Sequence, residues 1–284
     1  MILVDNTHLL IAAIMVAGKI DVDESTARHI ALNSYLALRR RFRGHGEMVL
    51  CHESGNSWRK QAFPHYKAGR KEKQRKDPDT WAKWCRLFGL LDKLVNEAKE
   101  SLPYRHLRVP ECEADDIIAV VSKKVADSGE DVVIASSDKD FNQLLFHPRI
   151  KQWCNRDHKF VTVEDPLAAK ELHIIRGDDN DGIPNILSAS DSLVSKTRQS
   201  PMTEARVGKI LEHLMEGHAK QQDWWPRYEE NRLLIDFDRI PPEMHGRICD
   251  EFDRTMAEEK RRGSVLSYLM RNQLDRLIGN ASEF

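Results

Sequence analysis

Short apolar runs alternate with helical patterns through the first part of the chain. Residues 2–4 and 48–51 form short apolar runs that predict buried strands, residues 106–109 could form a third strand, and the β-branched run 131–136 is the strongest strand signal. The helices predicted between these runs start at Leu9 and cover about 24–41, 80–102 and 114–126. Strands that alternate with helices predict an α/β fold in which helices flank a mainly parallel central sheet.

The pattern changes after about residue 183, where strand signals nearly vanish. Helical spacing predicts three helices there, at 204–216, 241–261 and 264–277. We therefore expect an α/β domain over residues 1–182 and a helical C-terminal domain over residues 183–284. Within the first domain, residues 54–80 are polar and basic and contain Gly and Pro breakers, which predicts a long loop or arch.

Composition narrows the class of protein. Hydrophobic residues make up 40% and charged residues 31% of the chain, as in soluble globular proteins. The N-terminus lacks the pattern of a signal peptide, and the apolar stretch 9–17 is too short to span a bilayer. Five dispersed cysteines without a CxxC pair indicate reduced thiols rather than a disulfide framework or a zinc site. We expect a cytoplasmic protein, a monomer, with no membrane partner.

Charge is segregated along the chain although the net charge is only −1. Residues 59–76 carry eight Lys and Arg against the single acid Glu72. Cations could hold phosphates, and the interleaved aromatic rings could stack on bases or sugars. The alternative interpretation is a solvated, disordered loop. The candidate nucleic-acid contacts in this region are Trp58, Arg59, Lys60, Tyr66, Lys67, Arg70 and Lys71.

Acidic residues occur where predicted strands end or helices begin. They are Asp5, Glu53, Glu113, Asp115, Asp116, Asp138, Asp140, Asp178 and Asp181. The carboxyl ends of parallel strands share one edge of a sheet, so these acids are expected to meet in one cleft. Two carboxylates about 4 Å apart repel by roughly 4 kcal/mol at an effective dielectric near 20. All-oxygen sites favour Mg²⁺ or Mn²⁺, and two such ions hydrolyse phosphodiesters.

Each acidic group also has an ordinary structural interpretation. Asp5 could be an N-cap or turn residue, and the acids at 113–116 could favour a helix N-terminus. Residues 178–181 could form a polar turn, and Glu53 could be a solvated surface acid. These interpretations do not explain why all the groups occur together in register with strand ends. The metal site is therefore the favoured hypothesis.

These residues resemble the 5′ nuclease (flap endonuclease) superfamily with its PIN-like core. The motifs that carry the resemblance are Val4-Asp5, Trp58-Arg-Lys-Gln-Ala-Phe-Pro-His-Tyr-Lys67-Ala-Gly-Arg70, Glu113-Ala-Asp-Asp116, Ser137-Asp-Lys-Asp140 and Gly177-Asp-Asp-Asn-Asp181. The resemblance implies that a first metal is surrounded by Asp5, Glu53, Asp115 and Asp138, with Glu113 nearby. It implies that a second metal is served by Asp116, Asp140, Asp178 and Asp181. It further implies that Arg59, Lys67 and Arg70 contact the scissile phosphate or a threaded 5′ end.

The resemblance also implies a biological role. Members of this superfamily remove RNA primers and short flaps in the 5′ to 3′ direction during lagging-strand replication. The expected substrates are RNA–DNA hybrids, 5′ flaps and nicked or gapped duplex DNA, and the expected cofactors are two Mg²⁺ ions, for which Mn²⁺ can substitute. A sliding clamp and a single-strand DNA-binding protein are expected partners. For a phage protein, the expected location is the cytoplasm of the bacterial host.

The sequence departs from the superfamily pattern at two places. Glu53 stands where an Asp is usual, and the spacing to Arg59 leaves His52 as an alternative for that position. The glycine-rich helix–hairpin–helix that holds duplex DNA in many relatives is absent after Asp181. Duplex binding is then expected from Lys196, Arg198 and the helix that begins near Thr203.

Two rival functions remain to be weighed. A haloacid-dehalogenase-type phosphatase needs a second Asp two residues after the nucleophile, and this chain has Thr7 there. A replication factor that binds nucleic acid but has lost turnover is the alternative to an enzyme. Against it, an unused cluster of acids would cost stability.

Overall fold

A six-stranded sheet forms the centre of the N-terminal part. The computed structural model describes residues 1–17, 21–69, 77–259 and 264–284. The strands are β1 (Ile2–Asp5), β2 (Met48–Cys51), β3 (Arg105–Leu107), β4 (Val132–Ala135), β5 (Ile150–Cys154) and β6 (Lys159–Phe160). Their spatial order is β3-β2-β1-β4-β5-β6, and every neighbouring pair is parallel except β5 and β6. This order confirms the predicted α/β fold with a mainly parallel sheet.

Helices fill both faces of the sheet and most of the C-terminal part. In the described ranges they are α1 (Asn6–Val16), α2 (Glu24–Arg41), α3 (Trp58–Ala62), α4 (Pro78–Ser101), α5 (Ala114–Asp127), α6 (Pro166–Arg176), α7 (Glu204–Met215), α8 (Trp225–Ile235), α9 (Pro242–Ala257), α10 (Val265–Arg271) and α11 (Asp275–Ile278). The predicted bounds of α2 and β2 match the observed ones, and most others differ by one to four residues. None of these helices combines the length and the apolar character that crossing a bilayer requires.

The alternation of side chains along β1 divides the main core into two layers. Ile2 and Val4 face a cluster built with α1, α2, α4, α10 and α11, whereas Leu3 faces a cluster built with α5 and α9. Successive side chains of a strand point to opposite faces, so a strand buried on both sides must be apolar throughout. This requirement explains the unbroken run Ile2–Val4.

A third apolar cluster connects the predicted arch to the C-terminal helices. Phe63 and Tyr66 pack there with Ile174 and Ile175 of α6 and with side chains of α7 and α8. Each of these four side chains is at most 5% exposed. The described beginning of the arch, up to residue 69, is therefore fixed by packing and includes α3.

Several elements differ from the sequence prediction. The predicted helix 264–277 consists of α10 and α11, separated where Gln273 has a φ of +54°. The sequence patterns gave no assignment for β5, β6, α3, α6 and α8. Arg70 and Lys71 lie outside the described residues. The proposed division of the chain after residue 182 stays a prediction.

Candidate active site

The ends of β1, β2 and β4 bring three acidic side chains to one edge of the sheet. Asp5 is the last residue of β1 and pairs in register with Cys51, two residues before Glu53. Asp138 follows β4, whose Ala135 pairs with Val4. Asp5 and Asp138 also act as N-caps, since Asp5 accepts a hydrogen bond from the amide of His8 and Asp138 from the amide of Asp140. Capping therefore fixes where these carboxylates point.

Seven of the predicted acids line one cavity of about 320 Å³ at this edge. They are Asp5, Glu53, Asp115, Asp138, Asp140, Asp178 and Asp181. Asp115 reaches the cavity from the first turn of α5, and Asp178 and Asp181 reach it from the loop after α6. The structure thus brings together acids that are more than 170 residues apart in the sequence.

Among the described residues that line the cavity, seven carboxylates outnumber the two lysines, Lys67 and Lys139. Burial, with the charges of Glu53 and Asp138, raises the pKa of Asp5 to about 6. Burial and the charge of Asp5 raise the pKa of Asp115 well above its usual range. Burial and the charge of Asp138 raise the pKa of Asp140 to about 7. These shifts favour uptake of protons or of metal cations.

Two of the nine predicted acids are not on the wall of this cavity. Asp116 is fully buried, and its carboxylate contacts Arg59 Nη1 at 2.8 Å and accepts a hydrogen bond from Trp58 Nε1 at 3.1 Å. Glu113 accepts hydrogen bonds from Arg59 and Tyr66 on one oxygen and from Lys67 on the other. Burial alone would raise the pKa of Glu113, but Lys67 and Arg59 outweigh burial and lower it to about 2.

The expected contact of Arg59 with a phosphate is therefore corrected by the structure. Its side chain is 3% exposed, and Nε donates a hydrogen bond to the carbonyl of Leu234. The guanidinium also lies 4.5 Å from the centre of the Trp58 ring. Trp58, at 5% exposure, and Tyr66, at 5%, are likewise packed inside rather than presented to a ligand. Arg59, Trp58 and Tyr66 are therefore buried residues that hold the acids of α5 in place, not residues that contact a ligand.

Among the described residues of the arch, Lys67 reaches the carboxylate cavity. Its Nζ lies 2.6 Å from Glu113 Oε1 and 3.6 Å from Asp181 Oδ2. Its backbone amide donates a hydrogen bond to the carbonyl of Asp181 at 2.7 Å, and its φ is +55°. Lys67 therefore joins the arch to the loop that carries Asp178 and Asp181.

That loop needs glycine where it approaches the arch. Gly182 has a φ of +76°, and a Cβ there would lie 2.7 Å from the backbone carbonyl oxygen of His65. Only glycine fits this close approach in the left-handed region without strain. Asp178 caps the same loop, because its Oδ1 accepts a hydrogen bond from the amide of Asn180 at 2.8 Å.

The sequence analysis missed two residues of the site. His173, near the end of α6, lies between Asp140 and Asp178, with ring nitrogens 3.6 Å and 3.2 Å from their carboxylates. Lys139 Nζ lies 3.3 Å from Asp178. Despite burial, His173 and Lys139 hold the pKa of Asp178 well below its usual range. Lys139 could have been predicted, because it lies between the predicted acids Asp138 and Asp140 in the sequence. No feature of the sequence near His173 indicates that this residue belongs to the site.

The remaining predicted residues lie outside the cavity wall. The structure places Glu53 rather than His52 on that wall, since His52 is 3% exposed and stacks on His106 with ring centroids 5.1 Å apart. Lys60 is exposed on α3, and Lys196 and Arg198 are exposed in the loop before α7. Their roles in nucleic-acid binding stay predictions.

Comparison with known proteins decides the family. The model of the "5′-3′ exonuclease, N-terminal resolvase-like domain" matches residues 1–171, and that of the "T4 RNase H, C terminal" domain matches residues 169–284. The chain belongs to the 5′-3′ exonuclease family. This membership confirms the predicted resemblance and the predicted enzyme class, a nuclease.

Individual relatives agree with this family. The ribonuclease H of Enterobacteria phage T4 is 28% identical over 99% of this chain and 95% of its own length. The flap endonuclease Xni of Shewanella sp. (strain MR-4) is 32% identical over 58% of this chain and 62% of its own length.

Solved structures show the same fold. The phage T5 5′-exonuclease with bound zinc has a TM-score of 0.67 at 15% identity, and the match covers 90% of this chain and 98% of that chain. A complex of the T5 flap endonuclease with DNA and metal ions has a TM-score of 0.65 at 15% identity, over 90% and 99% of the two chains.

Proposed function

We propose that this protein is a structure-specific 5′ to 3′ nuclease that hydrolyses phosphodiester bonds by two-metal-ion catalysis. Its proposed substrates are RNA–DNA hybrids, 5′ flaps and nicked or gapped duplex DNA. The observation that carries the proposal is the single cavity lined by seven carboxylates, three of which have raised pKa values. Protons or cations must compensate the charge of such a cavity, and we propose that divalent cations do so when the nuclease is active.

The donor set fits divalent magnesium or manganese. All seven acidic ligands offer oxygen, which Mg²⁺ and Mn²⁺ prefer. Asp140 Oδ1 is buried and accepts no hydrogen bond from the described residues. This oxygen is therefore available as a ligand for a cation. Asp5, Glu53, Asp115 and Asp138 would hold the first ion. Asp140, Asp178 and Asp181 would hold the second, and Asp116 would act only by orienting the helix that carries Asp115. The bound ions would activate a water molecule and stabilise the leaving oxygen.

The cations of the site have separate roles in this proposal. Lys67 and Lys139 lie on the cavity wall, where each could bind a phosphate oxygen and draw the nucleic-acid backbone toward the acids. Glu113 holds Lys67 Nζ and so fixes its position. His173 orients Asp178 through Nε2, which lies 3.2 Å from its carboxylate, while Nδ1 faces Asp140 at 3.6 Å. Arg70 and Lys71, next along the arch, are proposed to contact the 5′ end.

The proposed biological setting is lagging-strand replication in the cytoplasm of a bacterial host. Membership of the 5′-3′ exonuclease family, together with the relation to the phage T4 ribonuclease H, supports removal of RNA primers as the role. A sliding clamp and a single-strand DNA-binding protein are the proposed partners. Lys196 and Arg198, exposed before α7, are proposed to contact duplex backbone.

A cleavage assay tests the proposal directly. The protein is incubated with a 5′-labelled flap and with an RNA–DNA hybrid, in Mg²⁺, in Mn²⁺ or in EDTA. We expect cleavage with either metal and none in EDTA. Asp138→Asn should abolish cleavage of both substrates while binding persists, and Asp250→Asn, at an exposed position on α9, serves as the matched control. Binding without any metal-dependent cleavage by the wild-type protein would instead establish a binding factor.

A further inference from the structure

Three side chains with metal-binding atoms meet at the C-terminal end of α7, away from the carboxylate cavity. His213 lies in the last turn of the helix, Glu216 is its C-cap, and His218 follows Gly217. One ligand atom from each of the two histidines and from Glu216 lies within 4.8 Å of the others. His218 Nδ1 is 3.4 Å from Glu216 Oε2.

The backbone explains why residues of this spacing meet. The amide of His218 donates a hydrogen bond to the carbonyl of His213 at 2.9 Å, and the amide of Gly217 donates to the carbonyl of Leu214 at 3.4 Å. These two bonds define a Schellman motif, and Gly217 provides its left-handed residue with a φ of +75°. The motif places the third-last helical residue beside the second residue after the cap. That pair is commonly apolar, but here both members are histidines.

The surroundings of this cluster suit a cation. The negative end of the helix dipole lies at the C-terminus, where cations are stabilised. His213 Nδ1 is buried and has no hydrogen-bond partner within the part of the chain that the structure describes. Such an atom is costly unless a proton donor or a metal reaches it.

We propose that His213, Glu216 and His218 form a binding site for Zn²⁺ or a similar borderline transition metal. Imidazole nitrogen is a preferred ligand of Zn²⁺, whereas Mg²⁺ prefers oxygen, so the chemistry of this site differs from that of the carboxylate cavity. In a tetrahedral zinc site the ligand atoms are roughly 3.3 Å apart, and small rotations of exposed side chains close the difference. Three protein ligands leave a fourth position for water or an anion. His213 also lines a groove with Arg206, Lys209 and Trp224, so a bound ion adds positive charge to that groove.

Isothermal titration with zinc tests the proposal in the full-length protein. Millimolar Mg²⁺ is present throughout, because it competes for the carboxylate cavity but poorly for imidazole. We expect His218→Gln and His213→Gln each to weaken the imidazole-dependent zinc binding by at least about tenfold, since each removes one of three ligands. His158→Gln, which removes an exposed histidine from the turn between β5 and β6, should leave zinc binding unchanged. Equal zinc stoichiometry and affinity in the wild-type protein and in both ligand variants would overturn the proposal.

A second variant tests the role of the turn rather than of the ligands. Gly217→Ala keeps all three ligands but strains the left-handed position that brings His213 and His218 together. We expect weaker zinc binding with an unchanged cleavage rate in Mg²⁺, because the carboxylate cavity is not altered. Unchanged zinc affinity in a Gly217→Ala protein that keeps its helical circular dichroism would count against the site. Asp138→Asn tests whether the two proposals are independent. If this variant loses cleavage but keeps imidazole-dependent zinc binding, the zinc site is distinct from the carboxylate cavity of the proposed function.

Discussion

Arg59 Nη1 and Asp116 Oδ1 lie 2.8 Å apart in a position where both side chains are almost completely excluded from solvent. Glu113 contacts the same guanidinium nitrogen at 3.1 Å. Arg59 thus connects α3 to the first turn of α5, from which Asp115 enters the carboxylate cavity. Arg59, which resembles its basic neighbours in the sequence, therefore supports the carboxylate cavity from inside the protein.

Arg59→Met should therefore destabilise the whole domain. Breaking a buried ion pair by removing one partner typically costs about 3–5 kcal/mol, because the remaining charge stays buried. Urea denaturation with Mg²⁺ absent measures the loss. Arg156→Met removes the cation of an exposed pair with Asp157 and should destabilise the protein far less, because solvent screens that pair. Equal effects of the two substitutions would mean that the buried pair contributes no more than the exposed one.

Gly182→Ala adds only one methyl group, but it should clearly reduce the rate of cleavage. The added Cβ would meet the His65 carbonyl 2.7 Å away, and the backbone at a φ of +76° disfavours any side chain. The loop with Asp178 and Asp181 must then shift, at a cost of about 1–3 kcal/mol in stability. Steady-state cleavage and thermal unfolding check both effects.

Gly208→Ala is the matched control for that prediction. Gly208 lies inside α7, and apart from its chain neighbours and the backbone of that helix, no atom of the described residues lies within 4 Å of an added Cβ. Because alanine is a better helix former than glycine, this change should stabilise the protein by up to about 1 kcal/mol and leave cleavage unaltered. Wild-type cleavage by Gly182→Ala would show that the close approach to the arch is not needed for activity.

The acids at the edge of the sheet could be predicted from the sequence because each one closely follows an apolar run that forms a strand. The buried part of β1 must be apolar on both faces, and Asp5, which directly follows the apolar run Ile2–Val4, must lie at the end of that strand. The same reasoning places Asp138 after β4. Once the strands are parallel, the meeting of these acids follows from topology alone.

Other features depend on contacts between distant parts of the chain. The short strands β5 and β6 each carry an exposed lysine, and their order follows from the pairing of β5 with β4 and of β6 with β5 rather than from periodicity. The burial of Arg59 depends on Glu113 and Asp116, more than 50 residues away, and no basic run reveals such a partner. His173 joins the site only because α6 packs against the segment 139–144.

The stacked pair His52 and His106 should make folding sensitive to acid. Burial lowers the pKa of His52 to about 3 and that of His106 to about 4, from ordinary values of 6.5. Below about pH 6.5, His52 and His106 bind protons in the unfolded chain but stay neutral in the folded protein. This contribution to stability is therefore complete above pH 6.5 and is lost as the pH falls toward 4.

Replacing both rings tests this acid sensitivity. In His52→Phe/His106→Phe, the fall in unfolding free energy between about pH 7.5 and pH 5 should shrink by roughly 2 kcal/mol per imidazole. The wild-type protein is measured in the same buffer with EDTA, so that the effect of the raised carboxyl pKa values on the unfolding free energy is the same in both proteins and cancels. That effect has the opposite sign to the effect of the histidines. A His158→Gln protein should keep the wild-type dependence. Identical pH curves for the double variant and the wild-type protein would contradict the assigned pKa values.

The affinity for Mg²⁺ should rise steeply with pH. The folded-state pKa is about 6 for Asp5 and about 7 for Asp140, against 3.8 ordinarily. Each raised pKa costs folding free energy as the pH rises from about 4 to about 7, and a bound cation offsets that cost. Since Mg²⁺ binds ionised carboxylates, it must displace these protons at acidic pH. We expect the dissociation constant at about pH 5.5 to exceed that at pH 8 by at least about tenfold.

Calorimetric titration in two buffers of different ionisation enthalpy measures both the affinity and the protons released. Asp140→Asn should weaken Mg²⁺ binding at pH 8 and release fewer protons at neutral pH, because the carboxyl group with the higher pKa is gone. Asp250→Asn, at an exposed position outside the cavity, should change neither quantity. A wild-type affinity that stays constant between pH 5.5 and 8, with no proton release, would mean that Asp5 and Asp140 are already ionised and that mutual repulsion does not drive metal binding.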